Sequence, residues 1–429
     1  MKKRIAFFGP LNPVPSGISD YDEELLPLLR EHYDVDVFFN NEIKKQEAYP
    51  HGDFLIRNRR KPYDLTLYQI GNSLLHEIMY GYLFQFPGAT VFHDLCLHHS
   101  RAKMLLMRGL FDDYNDEALT AHPEEPLVAK LVRGGMGGDL LLYSFPFVRL
   151  IAESSLAVGA HTDWAVQNLQ KFETPAIKIP MAVDVSTNSN AASSNSGEIL
   201  IASFGFVTPE KRISWVLNVV KELRYFYSNI RYVIVGEVAS HYDVADEIRS
   251  RNLQDIVQIT GRTSREEFHQ WMSRADIVIN LRYPSAREMS ATLLRAMALG
   301  KPVMMSRLLH LQEIPDDAVI RVRPDHEQAD IFHNLWQLIE SKSLREKIGR
   351  KAAEYIQSHH RSDQMLKAYV ELIETALQRK SKFKSPKLPS HLSSSKEIIE
   401  NYIQKSSFAD QNSNLMKEIF ETHRLTIKR

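Results

Sequence analysis

Asn280-Leu-Arg-Tyr-Pro-Ser-Ala-Arg-Glu-Met-Ser-Ala-Thr-Leu-Leu-Arg-Ala-Met-Ala-Leu-Gly-Lys-Pro302 starts on the last residue of an apolar run, 277–280, and stops before another, 303–305. Short apolar runs bounded by turn residues read as strands buried on both faces. Between them Ser290 stands where an N-cap belongs, good helix formers follow, and Gly300 closes the helix. Strand, loop, helix, strand is the repeating unit of a parallel sheet. Glu288 then falls on the loop at the C-terminal edge of that sheet, where ligands of open α/β folds bind. A carboxylate there can hold sugar hydroxyls, while the free N–H groups around Met289, Ser290 and Ala291 hold a phosphate. The competing reading is that Glu288 caps its own helix.

The same unit recurs on both sides of this stretch. In the second half the spacing predicts strands at 199–204, 231–235, 257–259, 277–280 and 303–305, with helices between them, one opened by the capping box Ser264-Arg-Glu-Glu267. In the first half it predicts strands at 4–8, 34–39, 65–68, 89–92 and 156–159. After the first of these come the loop Gly9-Pro-Leu-Asn-Pro-Val-Pro-Ser-Gly17 and a helix through about Arg30, with Ser19-Asp-Tyr-Asp22 read as its capping box. The segment 184–198, rich in Ser, Asn and Ala, reads as a linker. From Glu327 to about Lys380 the pattern is wholly helical. The expected organisation is an α/β chain with a first Rossmann-like domain over 1–185 and a second over 186–360. A helix over 361–380 crosses back, and a basic, Ser-rich polar tail occupies 381–429.

Other residues invite chemistry. Gly17 lets the backbone approach a diphosphate or an acceptor beside a helix N-terminus. His93 and Asp94 follow a strand and stand at the ligand-binding edge, though a structural His-Asp pair gives the same pattern. Adding His98 and His99 suggests zinc, but the spacing matches no usual ligand set. In Ser203-Phe-Gly-Phe-Val-Thr-Pro-Glu-Lys-Arg212, Lys211 reaches over a helix N-terminus toward a diphosphate, against a solvated lysine as the alternative. Asp34 and Asp36 sit inside a strand and read as a solvated face.

Composition sets the limits. With 53 basic and 53 acidic side chains in 429 residues there is no net field to draw nucleic acid. Cys96 is the single cysteine, which excludes an internal disulfide and points to a reducing, cytoplasmic setting. Lys2, Lys3 and Arg4 precede too short an apolar run for a signal peptide, and no window is long enough to span a membrane. The basic run 379–387, and Arg101, Lys103 and Arg108 interleaved with Met104-Leu-Leu-Met107, suggest peripheral contact at the inner face of a membrane. A solvated run plus an ordinary core helix is the alternative.

Taken together, Ser16-Gly17-Ile18, His93-Asp94, the Phe-Gly-x5-Lys segment ending in Lys211 and the run 280–302 resemble glycosyltransferase family 4, in order from Ile5 to about Tyr369. Ile259-Thr-Gly-Arg-Thr263 and Ile348-Gly-Arg-Lys-Ala-Ala-Glu-Tyr355 are similar to the family as well. The resemblance implies a GT-B fold, two Rossmann-like domains with parallel sheets facing a central cleft. It implies a retaining transfer of a sugar from a UDP- or GDP-sugar to a hydroxyl of a glycan, lipid-linked or protein acceptor, with no metal or other cofactor. Lys211 would bind the donor diphosphate, Glu288 the sugar hydroxyls and His93 the sugar near the reacting carbon. Gly17, Arg212, Gly261, Arg262, Met289, Ser290 and Ala291 would complete the donor site. Two departures stand out: Phe206 replaces a family arginine, and Ala296, eight positions after Glu288, replaces a glutamate that holds the donor ribose. Arg212, Arg282 and Arg287 are candidate substitutes for the missing cation. The alternatives are a nucleotide-sugar epimerase on the same fold and a non-catalytic GT-B partner subunit of a glycosylation complex.

Overall fold

The computed structural model describes residues 2–14, 16–39, 48–136, 138–183 and 197–393. The linker segment 184–196 and the tail beyond 393 therefore lie outside the described residues. The chain divides into two compact units: Met1–Ile179, Ala286–Glu288 and Leu366–Arg429 form the first, and Pro180–Ser285 and Met289–Met365 the second.

The first unit is built on a seven-stranded parallel sheet. Its strands are β1 (Arg4–Phe8), β2 (Asp34–Phe39), β3 (Ala48–Pro50), β4 (Leu65–Ile70), β5 (Ala89–Phe92), β6 (Ala157–Ala160) and β7 (Ala176–Lys178), in spatial order β3-β2-β1-β4-β5-β6-β7. Ile5, Ala6, Phe7 and Phe8 are buried on both faces of β1, as a central parallel strand requires. Phe8 anchors an aromatic cluster with Phe38, Phe54, Tyr68 and Tyr82 at centroid distances of 4.9–5.3 Å. The helix Ser362–Arg379 returns to this unit and buries Tyr369, Leu372, Ile373 and Ala376 in it.

The second unit holds a six-stranded parallel sheet in the order β10-β9-β8-β11-β12-β13. These strands are β8 (Ile199–Phe204), β9 (Ile230–Val235), β10 (Val257–Gly261), β11 (Ile277–Asn280), β12 (Val303–Ser306) and β13 (Ile320–Val322). The helix Ile213–Leu223 buries Ile213, Val216, Leu217, Val219, Val220 and Leu223 against it. At ~1.5–3 kcal/mol for each fully buried aliphatic side chain, that stripe stabilises the helix far more than its propensity does. Gly349, in Lys342–His359, comes so close to Gly300 that a Cβ on it would lie 1.9 Å from the Gly300 carbonyl oxygen. This contact accounts for Gly349, while Gly300 is required by its φ of +67° at the helix end.

Every strand expected from the sequence is present, and three more, β3, β7 and β13, were not expected. Each has three residues and pairs with a single neighbour at a sheet edge. The capping box Ser264–Glu267 is formed, but the one read at Ser19 is not. The first helix spans Gly17–His32 and is capped by Ser16, whose Oγ accepts from the Ile18 N–H at 3.2 Å, while Ser19 is buried on the inner side. Asp36 is no solvated side chain either. It accepts from Tyr63 at 2.5 Å and pairs with Arg4 Nη2 at 3.1 Å and Arg57 Nη1 at 3.4 Å.

The stretch of Arg101 and Met104 is likewise an interior one. Arg101 is 1% exposed, its Nε donates to Glu117 at 2.8 Å, and its guanidinium lies 4.3 Å from the Tyr80 ring centroid. Met104 and Leu105 are buried beside it. Arg101, Met104 and Leu105 thus follow the core-helix reading, while Lys103, Met107 and Arg108 stay exposed. Buried charge survives only when paired, and here the pairing partner is thirteen residues beyond Met104, out of reach of a local reading. No described helix is long and apolar enough to cross a membrane.

Candidate active site

In the second unit the C-terminal ends of β8, β9 and β10 carry Gly205, Gly236 and Gly261. A Cβ on Gly236 would lie 2.2 Å from the Gly205 carbonyl oxygen, and Gly261 bridges to Gly236. The edge is therefore a ledge of bare backbone. Gly205 has φ +88°, and the Cβ it lacks would lie 2.9 Å from Lys211 Nζ and 3.8 Å from Thr292 Oγ1. Lys211, in the short turn Pro209–Lys211, folds its ammonium back over this notch and donates to the Phe204 carbonyl. The helix it approaches is Ala291–Ala298, whose first turn contains Thr292, rather than the helix that follows it in sequence.

Ser290 is the N-cap of that helix, with Oγ accepting from the Leu293 N–H at 3.3 Å. The alternative that Glu288 does the capping is thus set aside. Arg282 Nη2 lies 3.3 Å from the same Ser290 Oγ. Met289 is buried, Ala291 half-buried and Arg262 exposed. Cationic, hydroxyl and backbone N–H groups meet at one helix N-terminus, which is chemistry for an anion.

Arg212 is not part of this group. Its Nε donates to both oxygens of the buried Glu327 at 2.8 and 2.9 Å. Ala296 is fully buried, so a carboxylate at that position would enter the core and could not meet a ribose. The half-buried side of the helix carries Thr292 and, one turn on, Arg295.

In the first unit His93 follows β5 and is nearly enclosed. Its Nε2 is 2.7 Å from Gln69 Oε1 and its Nδ1 is 3.1 Å from His161 Nε2. His161 Nδ1 is 3.0 Å from the Ile179 carbonyl, which can only accept, so the proton sits on Nδ1 and Nε2 accepts from His93. His93 Nε2 keeps its lone pair, satisfied when the Gln69 amide turns its NH2 toward the ring. Tyr369 hydroxyl joins Gln69 at 3.1 Å, and Tyr21 hydroxyl joins Tyr369 at 2.9 Å. Burial, reinforced by the neighbouring His161 and His76, holds His93 well below the usual imidazole range, and burial lowers His161 to about 4. Both ring nitrogens of His93 are thus engaged inside the first unit. A direct contact with a sugar requires one of these bonds to open.

Beside this network, His76 Nδ1 lies 2.9 Å from the Gln69 backbone carbonyl, leaving a buried Nε2 lone pair without a partner among the described residues. Asp94 Oδ2 accepts the Asn72 N–H at 2.6 Å. Nε2 of His76 and Oδ2 of Asp94 lie 2.9 and 3.1 Å from the point where Gly71 would carry a Cβ. Gly17 would meet nothing within 4 Å if it carried one, so packing does not demand glycine there. Ala286–Glu288 belong to this unit: the Leu95 N–H donates to the Ala286 carbonyl at 2.9 Å and Arg287 Nη2 to the Tyr143 carbonyl at 3.2 Å. Among the described residues no three His, Cys, Asp or Glu side chains group as a metal site, and His98 is spent on Tyr114 at 2.6 Å.

Sequence reading missed Gln69, His76, His161 and Tyr369. Two signals were available: Gln69 stands near the C-terminal end of a fully buried strand, and His161 follows β6 just as His93 follows β5.

Residues 184–355 match the family model described as glycosyl transferases group 1. Alpha-D-kanosaminyltransferase of Streptomyces kanamyceticus is 23% identical over 156 residues, 36% of this chain and 40% of that protein, so the match spans less than half of that relative. Sucrose-phosphate synthase from Thermosynechococcus elongatus superimposes with a TM-score of 0.62 at 14% identity, covering 88% of this chain and all of that one. WaaG, a glycosyltransferase involved in lipopolysaccharide biosynthesis, gives 0.57 at 13% identity over 89% of this chain and 100% of its own. Anabaena HepE, solved with UDP and glucose, gives 0.56 at 14% identity over 87% of this chain and 100% of its own. At these identities the structural likeness establishes the fold. Residues 184–355 thus match a glycosyl transferases group 1 domain, carried by a chain of GT-B fold.

Proposed function

We propose that this protein is a glycosyltransferase that moves a sugar from a nucleoside diphosphate sugar, UDP- or GDP-linked, to an acceptor hydroxyl with retention of configuration. The observation that carries the reading is the convergence of Lys211, the Gly205 notch and the first turn of Ala291–Ala298 on one anion-binding point. The family match supports sugar transfer, and the solution of a neighbour with UDP and glucose supports the donor class.

The second unit takes the donor, and Glu288 takes the hydroxyls of the sugar being moved. Lys211 and the helix N–H groups stabilise the charge that grows on the leaving diphosphate. The described residues furnish this point with cations and hydroxyls, which supports a transfer that uses no divalent metal. The acceptor hydroxyl gives its proton to the departing phosphate on the face that the phosphate leaves. The exposed Lys380, Lys382, Lys384 and Lys387 suit an acceptor presented at an anionic membrane surface, which co-flotation with anionic liposomes tests.

The functional test is a thermal-shift screen of nucleotides and nucleotide sugars followed by turnover of the best donor with and without EDTA. A ligand at one hundred times its dissociation constant stabilises by about 2.7 kcal/mol. A donor hit with chelation-resistant transfer is expected. Loss of turnover to EDTA and its return with magnesium or manganese overturns the metal-free mechanism, and release of an isomerised donor without acceptor favours an epimerase. The exposed Phe206 in place of a cation favours a non-catalytic partner subunit as the second reading, which binding without turnover would bear out.

A further inference from the structure

The site holds a cation at Lys211, but the neighbouring position is Phe206, an exposed aromatic ring with no charge to offer a second phosphate oxygen. Three arginines, Arg212, Arg282 and Arg287, are candidates to replace it. Arg212 is held by the buried Glu327, and drawing it away leaves that carboxylate without its guanidinium. Arg287 is bound to the Tyr143 carbonyl at 3.2 Å and set 5.5 Å from the Trp164 ring centroid.

Arg282 is placed differently. It leaves the end of β11 with its backbone N–H on Ser306 Oγ at 2.9 Å, which fixes its Cα at the C-terminal edge of the sheet. The next residue, Tyr283, donates its N–H to the Glu210 carbonyl at 2.8 Å, tying this loop to the residue preceding Lys211. Its guanidinium reaches the N-cap Ser290 at 3.3 Å, while Lys211 Nζ lies at the notch shared with Thr292. Two cations thus stand at the N-terminal end of one helix, Arg282 at its N-cap Ser290 and Lys211 at the notch that Thr292 also borders. A planar guanidinium there offers parallel N–H donors suited to a phosphate.

We infer that Arg282, and not Arg212 or Arg287, supplies the second cation of the donor site and engages the diphosphate of the nucleotide together with Lys211. This rests on the proposed donor site and assigns a residue within it. Arg212 is a structural residue held by the buried Glu327.

The test is calorimetric titration of the full chain with UDP, GDP, UMP and inorganic pyrophosphate, for wild type, R282Q, R282K and R212Q, with melting curves alongside. R282Q is expected to weaken the bound nucleoside diphosphate and pyrophosphate in parallel, by roughly 10–100-fold, the scale of a lost charge-assisted hydrogen bond. UMP should suffer less. R282K, which keeps the charge but not the fork, is expected to fall in between, and it carries the test by itself if R282Q does not fold. R212Q should lower the melting temperature and leave affinity within about threefold, since it breaks a structural pair only. If wild type binds none of the nucleoside diphosphates, the donor-site reading itself falls. If it binds one and R282K and any folded R282Q bind it equally well, the assignment of Arg282 is overturned; so too if R212Q loses affinity at an unchanged melting temperature.

Discussion

His161 Nε2 lies 3.1 Å from His93 Nδ1, and its opposite nitrogen lies 3.0 Å from the Ile179 carbonyl, so each ring must be neutral and in one tautomer for the pair to be satisfied. Burial lowers His161 to about 4 and His76, by the same cause, to about 4, against an ordinary value of 6.5. The unfolded chain therefore binds protons that the folded chain refuses between pH 6.5 and about 4. Stability should be fully present above pH 6.5, fall as the pH drops through that window and level off below it, by on the order of 2–4 kcal/mol per histidine. Denaturant melts from pH 7.5 to 4 check this, and H161Q should flatten the slope. A variant with the wild-type slope would remove His161 from the account.

The Arg101–Glu117 pair is buried on both sides, with His391 Nε2 also 2.8 Å from Glu117 Oε1. Arg101→Ala leaves a carboxylate in the core with one partner fewer and is expected to cost about 3–5 kcal/mol, while Arg101→Met, which refills the volume, costs less. Urea unfolding measures both. A loss below about 1 kcal/mol for the alanine variant would mean that the pair behaves as a solvated one.

Ala296→Glu restores a side chain that the family resemblance leads one to expect, yet it should not restore ribose binding. The position is fully buried, so the new carboxylate must enter the core and destabilise the second unit by several kcal/mol. Arg295→Glu, on the half-buried side, should be tolerated and should change nucleoside affinity. Improved nucleotide binding by Ala296→Glu at an unchanged melting temperature would contradict the inward-facing register of position 296.

Lys211 and Glu288 should fail in different ways. Lys211→Ala is expected to weaken free nucleoside diphosphate binding and to cut turnover by about 10²–10³-fold, the scale of a lost transition-state donor. Glu288→Gln should leave nucleotide affinity nearly intact and lower turnover, as befits a contact made to the sugar. Calorimetry beside donor-saturated rates separates them, and wild-type nucleotide affinity in Lys211→Ala withdraws its role.

Gly205→Ala probes the same notch without touching a charge. At φ +88° the new methyl group is strained and would lie 2.9 Å from Lys211 Nζ, so the ammonium must move. Weaker nucleotide binding than in wild type is expected, alongside a destabilisation on the order of 1–2 kcal/mol. Unchanged affinity would show that Lys211 reaches its ligand from elsewhere.

The alternation of apolar runs with helical stretches determined both sheets, because a strand buried on both faces and a capped amphipathic helix each write their pattern into consecutive residues. For that reason β1, β8 and β11, the Ser290 cap and the position of Lys211 at a sheet edge were legible in the amino-acid sequence alone. The edge strands β3, β7 and β13 were not: three residues hold no period, and each becomes a strand only because a neighbour offers hydrogen-bonding groups. The helical face on which position 296 lies was also decided only by packing, since a one-residue change turns a side chain by about 100° around the helix. Most of all, the buried set of Gln69, His93, His161, Tyr21 and Tyr369 is gathered from residues as far apart as Tyr21 and Tyr369. Such partners are chosen by the satisfaction of buried donors and acceptors after the chain has closed, a requirement that leaves no local mark in the sequence.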